Sequence, residues 1–405
     1  MQKFGWYQIA ASLLLFVLIA IVLEGCESEK LICPADIAAK KCYAQPTCIC
    51  PPGYFKAEPR PKEPTPKESA PKVTQYKNVE VFFGTDRQRI LNAQSRRETF
   101  NDIRGHAIHY GSTTVSIPHS HRIGELESPW HEYLENPEKH VVLQRIKVLK
   151  KSEFMDDIKT AVFKGKTNEG LIFVHGFNTT FEDAARRTAQ IAHDIGFAGV
   201  PLFYSWPSSG NIIDYVSDGN NADYAVSYLK IFLKDIVENA NFTSVTLLAH
   251  SMGNRTLTQA FIALKNEIHA NKLRIVKEII LAAPDIDADV FKEQIAPALI
   301  ASKTPVTLYA SSTDRALLAS KALNGAPRAG DSGTGLVVIK GMETLDATNI
   351  NTNLFWDLNH SFIGEERSIL SDLSYLIVNG LRASARYGLE PIPNRVDAKY
   401  WKFKQ

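Results

Sequence analysis

From residue 171 onward the chain alternates short apolar runs with longer segments of helical periodicity, and this alternation constrains the fold more than any other feature. Strands of a parallel sheet are buried on both faces and read as unbroken apolar stretches, while the helices that cover those faces must be amphipathic. The runs at 171–174, 200–205, 245–249, 275–282 and 305–310 fit such strands. Between the first two, Phe181, Ala184, Ala185, Thr188, Ile191, Ala192 and Ile195 share one helical face, and Thr179 with Glu182 offers a capping box at its start. Further helices are expected over 221–238, 253–269, 288–300 and 367–380. Upstream, 79–83, 113–117 and 141–149 show the β-branched alternation of an antiparallel meander. The predicted class is α/β, a mostly parallel central sheet flanked by helices, with an N-terminal antiparallel extension and no internal repeat.

Ala249-His250-Ser251-Met252-Gly253 joins the apolar run Val245-Thr246-Leu247-Leu248 to a helical segment, which puts Ser251 at a strand-to-helix turn. A sharp turn of this kind holds a serine hydroxyl exposed above the sheet and needs small residues two positions to either side. Gly253 meets the need, and Ala249 does so with one methyl group more than the usual glycine. A serine hydroxyl is a weak nucleophile until a base takes its proton, so a histidine and an orienting carboxylate are required, and in a fold that carries the serine on such a strand-to-helix turn they follow in the order Ser, acid, His. Two histidines follow Ser251: His269, within or at the end of the next helix, and His360, in the loop-like Asp357-Leu358-Asn359-His360. The order selects His360 as the base.

Asp314, in Ser311-Ser312-Thr313-Asp314 directly after the strand at 305–310, is the expected acid. Asp285, in Ala283-Pro284-Asp285-Ile286-Asp287 after the preceding strand, is the alternative. Both belong to the carboxyl ends of strands, where ligand chemistry in open α/β sheets gathers. An oxyanion hole is expected from the backbone N–H of Met252 and that of Phe177, in Val174-His175-Gly176-Phe177-Asn178. His175 precedes Ser251 and reads as a structural hydrogen-bonding residue. Trp206-Pro207-Ser208-Ser209-Gly210 opens a long loop reaching Tyr215 and Asp218, either a lid or substrate wall or an ordinary connection.

Together, His175-Gly176-Phe177-Asn178, Phe181-Glu182-Asp183-Ala184-Ala185, Phe203-Tyr204-Ser205-Trp206-Pro207-Ser208, Ala249-His250-Ser251-Met252-Gly253-Asn254-Arg255 and Ala283-Pro284-Asp285-Ile286-Asp287 resemble a bacterial family of α/β-hydrolases of poorly defined function, esterase- or lipase-like. Phe82-Phe83-Gly84-Thr85-Asp86-Arg87, and His109-Tyr110-Gly111 followed by Val115-Ser116-Ile117-Pro118, are similar too. The resemblance covers residues 79–385. It implies the α/β-hydrolase fold and hydrolysis of an acyl bond, and carries over no substrate.

All five cysteines, Cys26, Cys33, Cys42, Cys48 and Cys50, lie in the first fifty residues. Lys3 precedes an uncharged stretch over 4–23 that ends in Leu23-Glu24-Gly25-Cys26, the layout of a signal peptide. These last four residues resemble a bacterial lipobox, with Glu24 where a small or neutral residue is usual, and the resemblance implies lipidation of Cys26. Left uncleaved, the stretch would rise about 30 Å as a helix and just span a bilayer. Ordinary secretion is the third possibility. Each places the bulk of the chain outside the cytoplasm, and the first two anchor it in the cell envelope by a lipid or a single helix. Lipidation of Cys26 leaves Cys33, Cys42, Cys48 and Cys50, an even set able to form two disulfides in an oxidising compartment. A bridge between Cys48 and Cys50 is disfavoured by ring strain, and their one-residue gap argues against zinc. The prolines alternating with charged residues over 51–71 read as an extended spacer or as a disordered tail. The expected segments are 1–25 signal peptide or anchor, 26–50 Cys-rich, 51–77 Pro-rich linker, 78–390 hydrolase domain and 391–405 C-terminal tail.

With 46 basic and 44 acidic side chains, the net charge of +2 provides no field to recruit nucleic acid. His119-Ser120-His121, with His106, His109 and His131 nearby, lacks a spaced carboxylate motif, and Pro118 marks a turn, so no metal and no cofactor is expected. The expectation is an envelope-tethered serine hydrolase that cleaves a carboxylic ester, small or lipid-like, through Ser251, His360 and Asp314 and an acyl-enzyme intermediate. An acyltransferase or amidase would use the same triad, and a non-catalytic envelope scaffold would keep the fold alone. Oligomeric state is not legible.

Overall fold

The computed structural model describes residues 35–36, 41–43, 55–57, 74–91, 98–130, 134–209, 214–311, 326–348 and 363–404. They fall into two units, residues 1–73 and 74–405. In the first, β1 (Ala35–Asp36), β2 (Lys41–Tyr43) and β3 (Phe55–Ala57) form a small sheet with β2 antiparallel to β1 and parallel to β3. Cys42 sits in β2, whereas Cys26, Cys33, Cys48, Cys50 and the apolar stretch at 4–23 lie outside the described residues. Among the described residues no helix is long and apolar enough to cross a membrane.

The second unit is built on one sheet of β4 (Tyr76–Leu91), β5 (Glu98–Pro118), β6 (Val142–Leu149), β7 (Glu169–Val174), β8 (Val200–Ser205), β9 (Ser244–His250), β10 (Val276–Ala282), β11 (Val306–Ala310), β12 (Glu343–Asp346), β13 (Leu389–Ile392) and β14 (Tyr400–Phe403). Its order is β13-β14-β12-β11-β10-β9-β7-β8-β4-β5-β6. Strands β14 through β4 in that order run parallel, while β5, β6 and β13 pair antiparallel. This is the α/β-hydrolase fold, a mixed, largely parallel sheet flanked by helices with antiparallel N-terminal strands.

Helices α1 (Lys151–Lys164), α2 (Phe181–Asp194), α3 (Tyr215–Asn239), α4 (Gly253–Glu267), α5 (Ala270–Leu273), α6 (Ala288–Val290), α7 (Ala296–Ile300) and α8 (Ile363–Ile377) connect the strands. Because side chains alternate across a strand, β7 feeds two cores. Ile172 and Val174 pack with Leu229 and Phe232 of α3 and Leu257 and Phe261 of α4. Leu171 and Phe173 pack on the other face with Phe181 and Ala185 of α2 and Leu373 of α8. From β7 the chain moves to β8 on one side and then returns to β9 on the other. That reversal makes the carboxyl ends of β7 and β9 the switch point of the sheet, the place where open α/β sheets bind ligands.

Several details differ from the sequence expectation. Helix α1 was not anticipated, although Phe154, Met155, Ile158 and Val162 form its buried face. Strands β4 and β5 run well past the expected 79–83 and 113–117, and their pairing shifts register around Arg87, which breaks the simple alternation. Helix α3 starts at Tyr215, six residues ahead of the expected 221, and runs through the weak helix formers Gly219-Asn220-Asn221. The cap of α2 is Thr180, whose hydroxyl accepts from the Asp183 N–H at 3.1 Å. Thr179 is occupied elsewhere, its N–H donating to Ser208 Oγ at 3.2 Å. A π-helical turn at Phe291–Ile295 interrupts the helix expected at 288–300 just before Pro297, a residue whose ring clashes with the carbonyl four positions back in a regular helix. The segment set apart as a tail supplies β14, with Phe403 buried in the core.

His121 staples the end of β5 to α2. Its Nδ1 lies 2.8 Å from Glu127 Oε2 and its Nε2 2.8 Å from Asp194 Oδ1, with the Asp194 side chain wholly buried. Burial alone would lower the imidazole pKa, but the Asp194 and Glu127 carboxylates outweigh it and raise it to about 9. A pKa higher in the folded state means that the staple stabilises the fold fully below pH 6.5 and loses that contribution as pH rises through about 9. Thermal midpoints should therefore fall between pH 6.5 and 9.5 by roughly several degrees more in the wild type than in His121→Gln. Parallel pH dependence in the two proteins would contradict the assignment.

Candidate active site

At the carboxyl end of β9 the chain turns at Ser251 in the left-handed region, φ 48°, and enters α4 through Met252. A non-glycine residue is rarely held there, and here the main chain pins it. The Ser251 N–H donates to Ala282 O at 3.0 Å. Its carbonyl accepts the N–H groups of Asn254 and Asp285, at 3.1 and 3.2 Å, and Asn254 Nδ2 at 3.0 Å. A Cβ on Gly253 would stand 2.2 Å from His175 O, so only glycine lets α4 approach the end of β7 this closely. Ala249 packs its extra methyl into the core shared with α3 and α4. The expectation of an exposed hydroxyl is corrected in one respect: Ser251 is fully buried, and its Oγ has no hydrogen-bond partner among the described residues.

The loop after β7 lies against this turn. A Cβ on Gly176 would come within 2.8 Å of His250 Nδ1 and 3.2 Å of Ser251 Cβ, which brings the Gly176–Phe177 backbone to Ser251. Asn178 takes φ 56° as the chain bends toward α2. Phe177 is buried, its ring edge-to-face on Tyr215 at 5.2 Å. Met252, also buried, is the N-cap residue of α4, where the helix dipole favours negative charge. The two residues expected to form the oxyanion hole thus flank Ser251 from two different loops.

His175 is structural. Its Nδ1 lies 2.7 Å from Gly176 O, which can only accept, so Nδ1 carries the proton and Nε2 accepts from Ser205 Oγ at 3.1 Å. The ring stacks on Trp206 at 5.1 Å, and Trp206 Nε1 donates to His175 O at 2.8 Å. Burial, reinforced by the Arg87 charge, holds its pKa well below the usual value and keeps it neutral.

Sequence reasoning missed Arg87. Fully buried, it donates from Nε to Ser205 Oγ at 2.8 Å, from Nη1 to Ser208 O at 2.9 Å and from Nη2 to Thr179 O at 2.7 Å. One guanidinium thereby ties β4 to the loops after β7 and β8. Burial brings its pKa down to about 10 against the opposing pull of Glu182, Asp86 and Asp218. The stretch from Trp206 is also part of this framework. Ser208 Oγ donates to Asp218 Oδ2 at 2.6 Å, and Tyr215 and Asp218 belong to the first turns of α3 and are buried. The only trace of Arg87 in the sequence is its place after Gly84-Thr85-Asp86.

Asp285 is buried beside the turn at Ser251, with Arg328 Nε donating to its Oδ1 at 2.7 Å and the Tyr215 hydroxyl to its Oδ2. Asp314 and His360, the expected acid and base, lie outside the described residues; Ser311, three positions before Asp314, ends the described part of that segment. Among the described residues no group of three or more His, Cys, Asp or Glu side chains could hold a metal ion.

A family profile described as "Alpha/beta hydrolase of unknown function (DUF900)" matches residues 150–378. Among solved structures, an esterase of Pyrobaculum calidifontis is similar at 10% identity and a TM-score of 0.30, over 57% of this chain and 94% of that one. A lipase-esterase related protein from Clostridium acetobutylicum ATCC 824 is 11% identical over 53% of this chain and 96% of its own, with a TM-score of 0.28. Brefeldin A esterase, described as a bacterial homologue of human hormone sensitive lipase, is 10% identical over 76% and 80% of the two chains, with a TM-score of 0.31. No curated protein matches the chain.

Proposed function

Since the chain belongs to the family of alpha/beta hydrolases of unknown function (DUF900), we propose that it is an envelope-tethered serine hydrolase that cleaves a carboxylic ester through Ser251, His360 and Asp314. The observation that carries this reading is the turn at Ser251, held at φ 48° at the sheet's switch point and approached by the Gly176–Phe177 backbone. A strained residue maintained by four main-chain and side-chain hydrogen bonds is the kind of feature that function retains.

In this mechanism Ser251 Oγ attacks the ester carbonyl carbon while His360 takes the hydroxyl proton and Asp314 orients the imidazole. The N–H groups of Phe177 and Met252 receive the charge that develops on the carbonyl oxygen. Collapse of the tetrahedral intermediate releases the alcohol with the proton from His360 and leaves the acyl group on Ser251. Water, deprotonated by His360, then frees the acid. The bound partner is a small or lipid-like acyl ester.

Incubation with p-nitrophenyl esters from acetate to palmitate should give turnover, and acid quenching should trap the acyl mass on the peptide containing Ser251. Absence of turnover across the whole series would contradict the proposal. Tethering has its own readout in the mass of the mature chain purified from membranes. An acylated N-terminal Cys26 or an intact Met1 supports it, and an unmodified N-terminus beyond residue 26 contradicts it.

A further inference from the structure

We propose that Asp285 is the positioning residue of this active site, the group that holds the nucleophile turn, the Phe177 loop and the end of β11 in mutual register. The inference rests on the reading of Ser251 as nucleophile. It assigns Asp285 a role different from that of the acid beside the histidine.

Three connections among the described residues meet at Asp285. First, its main chain touches the nucleophile: after β10 the backbone bends at Ala283, φ 46°, and the Asp285 N–H donates to the Ser251 carbonyl at 3.2 Å. Second, its Oδ2 accepts the hydroxyl of Tyr215, the first residue of α3, whose ring supports Phe177 edge-on. Third, its Oδ1 accepts Arg328 Nε at 2.7 Å while Arg328 Nη2 donates to the Asp285 carbonyl at 3.2 Å.

Arg328 belongs to a segment laid directly on the 283–286 turn. Ala329 N–H donates to Ile286 O at 2.7 Å, and Gly330 N–H donates to Pro284 O at 2.9 Å. A Cβ on Gly330 would sit 2.5 Å from the Ala283 carbonyl carbon, so the contact admits only glycine. The Gly330 carbonyl in turn accepts the Ser311 N–H at 2.8 Å, at the end of β11. Ser311 precedes the proposed acid Asp314 by three residues. Asp285 therefore links, through its main chain, the turn that bears the nucleophile and, through its carboxylate, Tyr215 beneath the loop that bears an oxyanion donor and Arg328 of the segment that meets the strand end leading to the acid.

The energetics favour a geometric role. A buried ion pair gains little net stability over an apolar pair of the same shape, because both charges must be desolvated. What it does provide is direction. The guanidinium and hydroxyl each fix one oxygen, and catalytic groups lose rate steeply when displaced by fractions of an ångström. Asp285→Asn would leave the guanidinium buried without its counter-charge and weaken the side-chain connections to Arg328 and Tyr215, while the main-chain bond to Ser251 stays.

The test uses the full chain with Asp285→Asn, Arg328→Gln, their double variant, Tyr215→Phe and Asp314→Asn, read by kcat and KM for a p-nitrophenyl ester, the pH profile of kcat/KM, and the urea midpoint. Asp285→Asn and Arg328→Gln should each lower kcat by about 10- to 100-fold with KM within about threefold, and the double variant should be no worse than the poorer single one. Tyr215→Phe, which keeps the ring and folds without loss of a charge, should lower kcat by about 3- to 10-fold. The acidic limb of kcat/KM should keep its wild-type midpoint in Asp285→Asn and move in Asp314→Asn. Wild-type kcat in both Asp285→Asn and Tyr215→Phe, or an acidic limb displaced by Asp285→Asn and untouched by Asp314→Asn, would overturn the inference. Failure of the underlying hydrolase reading looks different, since the wild type itself would then turn over no ester.

Discussion

Ser251→Ala is expected to lower kcat/KM for a p-nitrophenyl ester by about ten-thousand- to a million-fold while leaving the fold intact. The structural half of that expectation follows from the surroundings of the hydroxyl. Ser251 Oγ makes no hydrogen bond among the described residues, so its removal breaks none of the bonds that hold the turn. Those bonds run through the Ser251 N–H and carbonyl, which alanine keeps. Serine and alanine also pay a similar penalty for the left-handed backbone at φ 48°. The catalytic half follows from the chemistry, because without the hydroxyl no acyl-enzyme can form. His360→Ala should fall in the same range, and combining it with Ser251→Ala should add nothing further, since residues that act as one unit are not additive. Steady-state kinetics at matched urea midpoints decide the matter, and a Ser251→Ala variant within tenfold of the wild type would refute the assignment.

Asp86→Asn is expected to make the protein more stable above pH 7, by about 4 kcal/mol at pH 8.5. Asp86 follows Thr85 on β4, completely buried, with Tyr204 OH donating to its Oδ1 at 2.8 Å and its Oδ2 lacking a partner among the described residues. Burial drives its pKa from 3.8 up to about 7, and the Tyr204 hydrogen bond and the charges of Arg87 and Arg104 offset only part of that rise. Because the folded state holds the proton more tightly than the unfolded chain, the contribution of Asp86 to stability is greatest below pH 3.8 and is lost as pH rises through about 7. Asparagine keeps the acceptor for Tyr204 and never ionises, so it removes that decline. Urea midpoints at pH 5 and pH 8.5 measure the effect as a widening gap between variant and wild type. An equal gap at both pH values would contradict the buried, late-ionising carboxyl.

The parts of this molecule that were legible in its sequence are those encoded locally. Residues 171–174 and 200–205 announce strands because both their faces are apolar, and the observed β7 and β8 cover them. The turn at Ser251 is legible because a buried strand, a glycine that permits close approach and an amphipathic helix succeed one another without a gap. What escaped is long-range. Arg87 enters the sequence only as the end of the family-like Phe82-Phe83-Gly84-Thr85-Asp86-Arg87, and its partner Ser205 is 118 residues away. Asp285 meets Tyr215 across 70 residues and Arg328 across 43, and no local pattern reports that such groups will converge. The cap of α2 moved by one residue for a related reason, since a loop 29 positions distant claims the Thr179 N–H. Chain order alone named His360 and Asp314, and both remain assignments by order.

Activation of Ser251 as the nucleophile is tested most directly by a fluorophosphonate probe, because it phosphonylates serine hydroxyls only where a base and an oxyanion hole act together. Wild type, Ser251→Ala and His360→Ala would be labelled in parallel at pH 7.5 and the modified peptide identified by mass spectrometry. A single phosphonylated site at Ser251 is expected in the wild type, none in Ser251→Ala and at most a trace in His360→Ala. A wild type that takes up no probe, or a label that persists in Ser251→Ala, would contradict it.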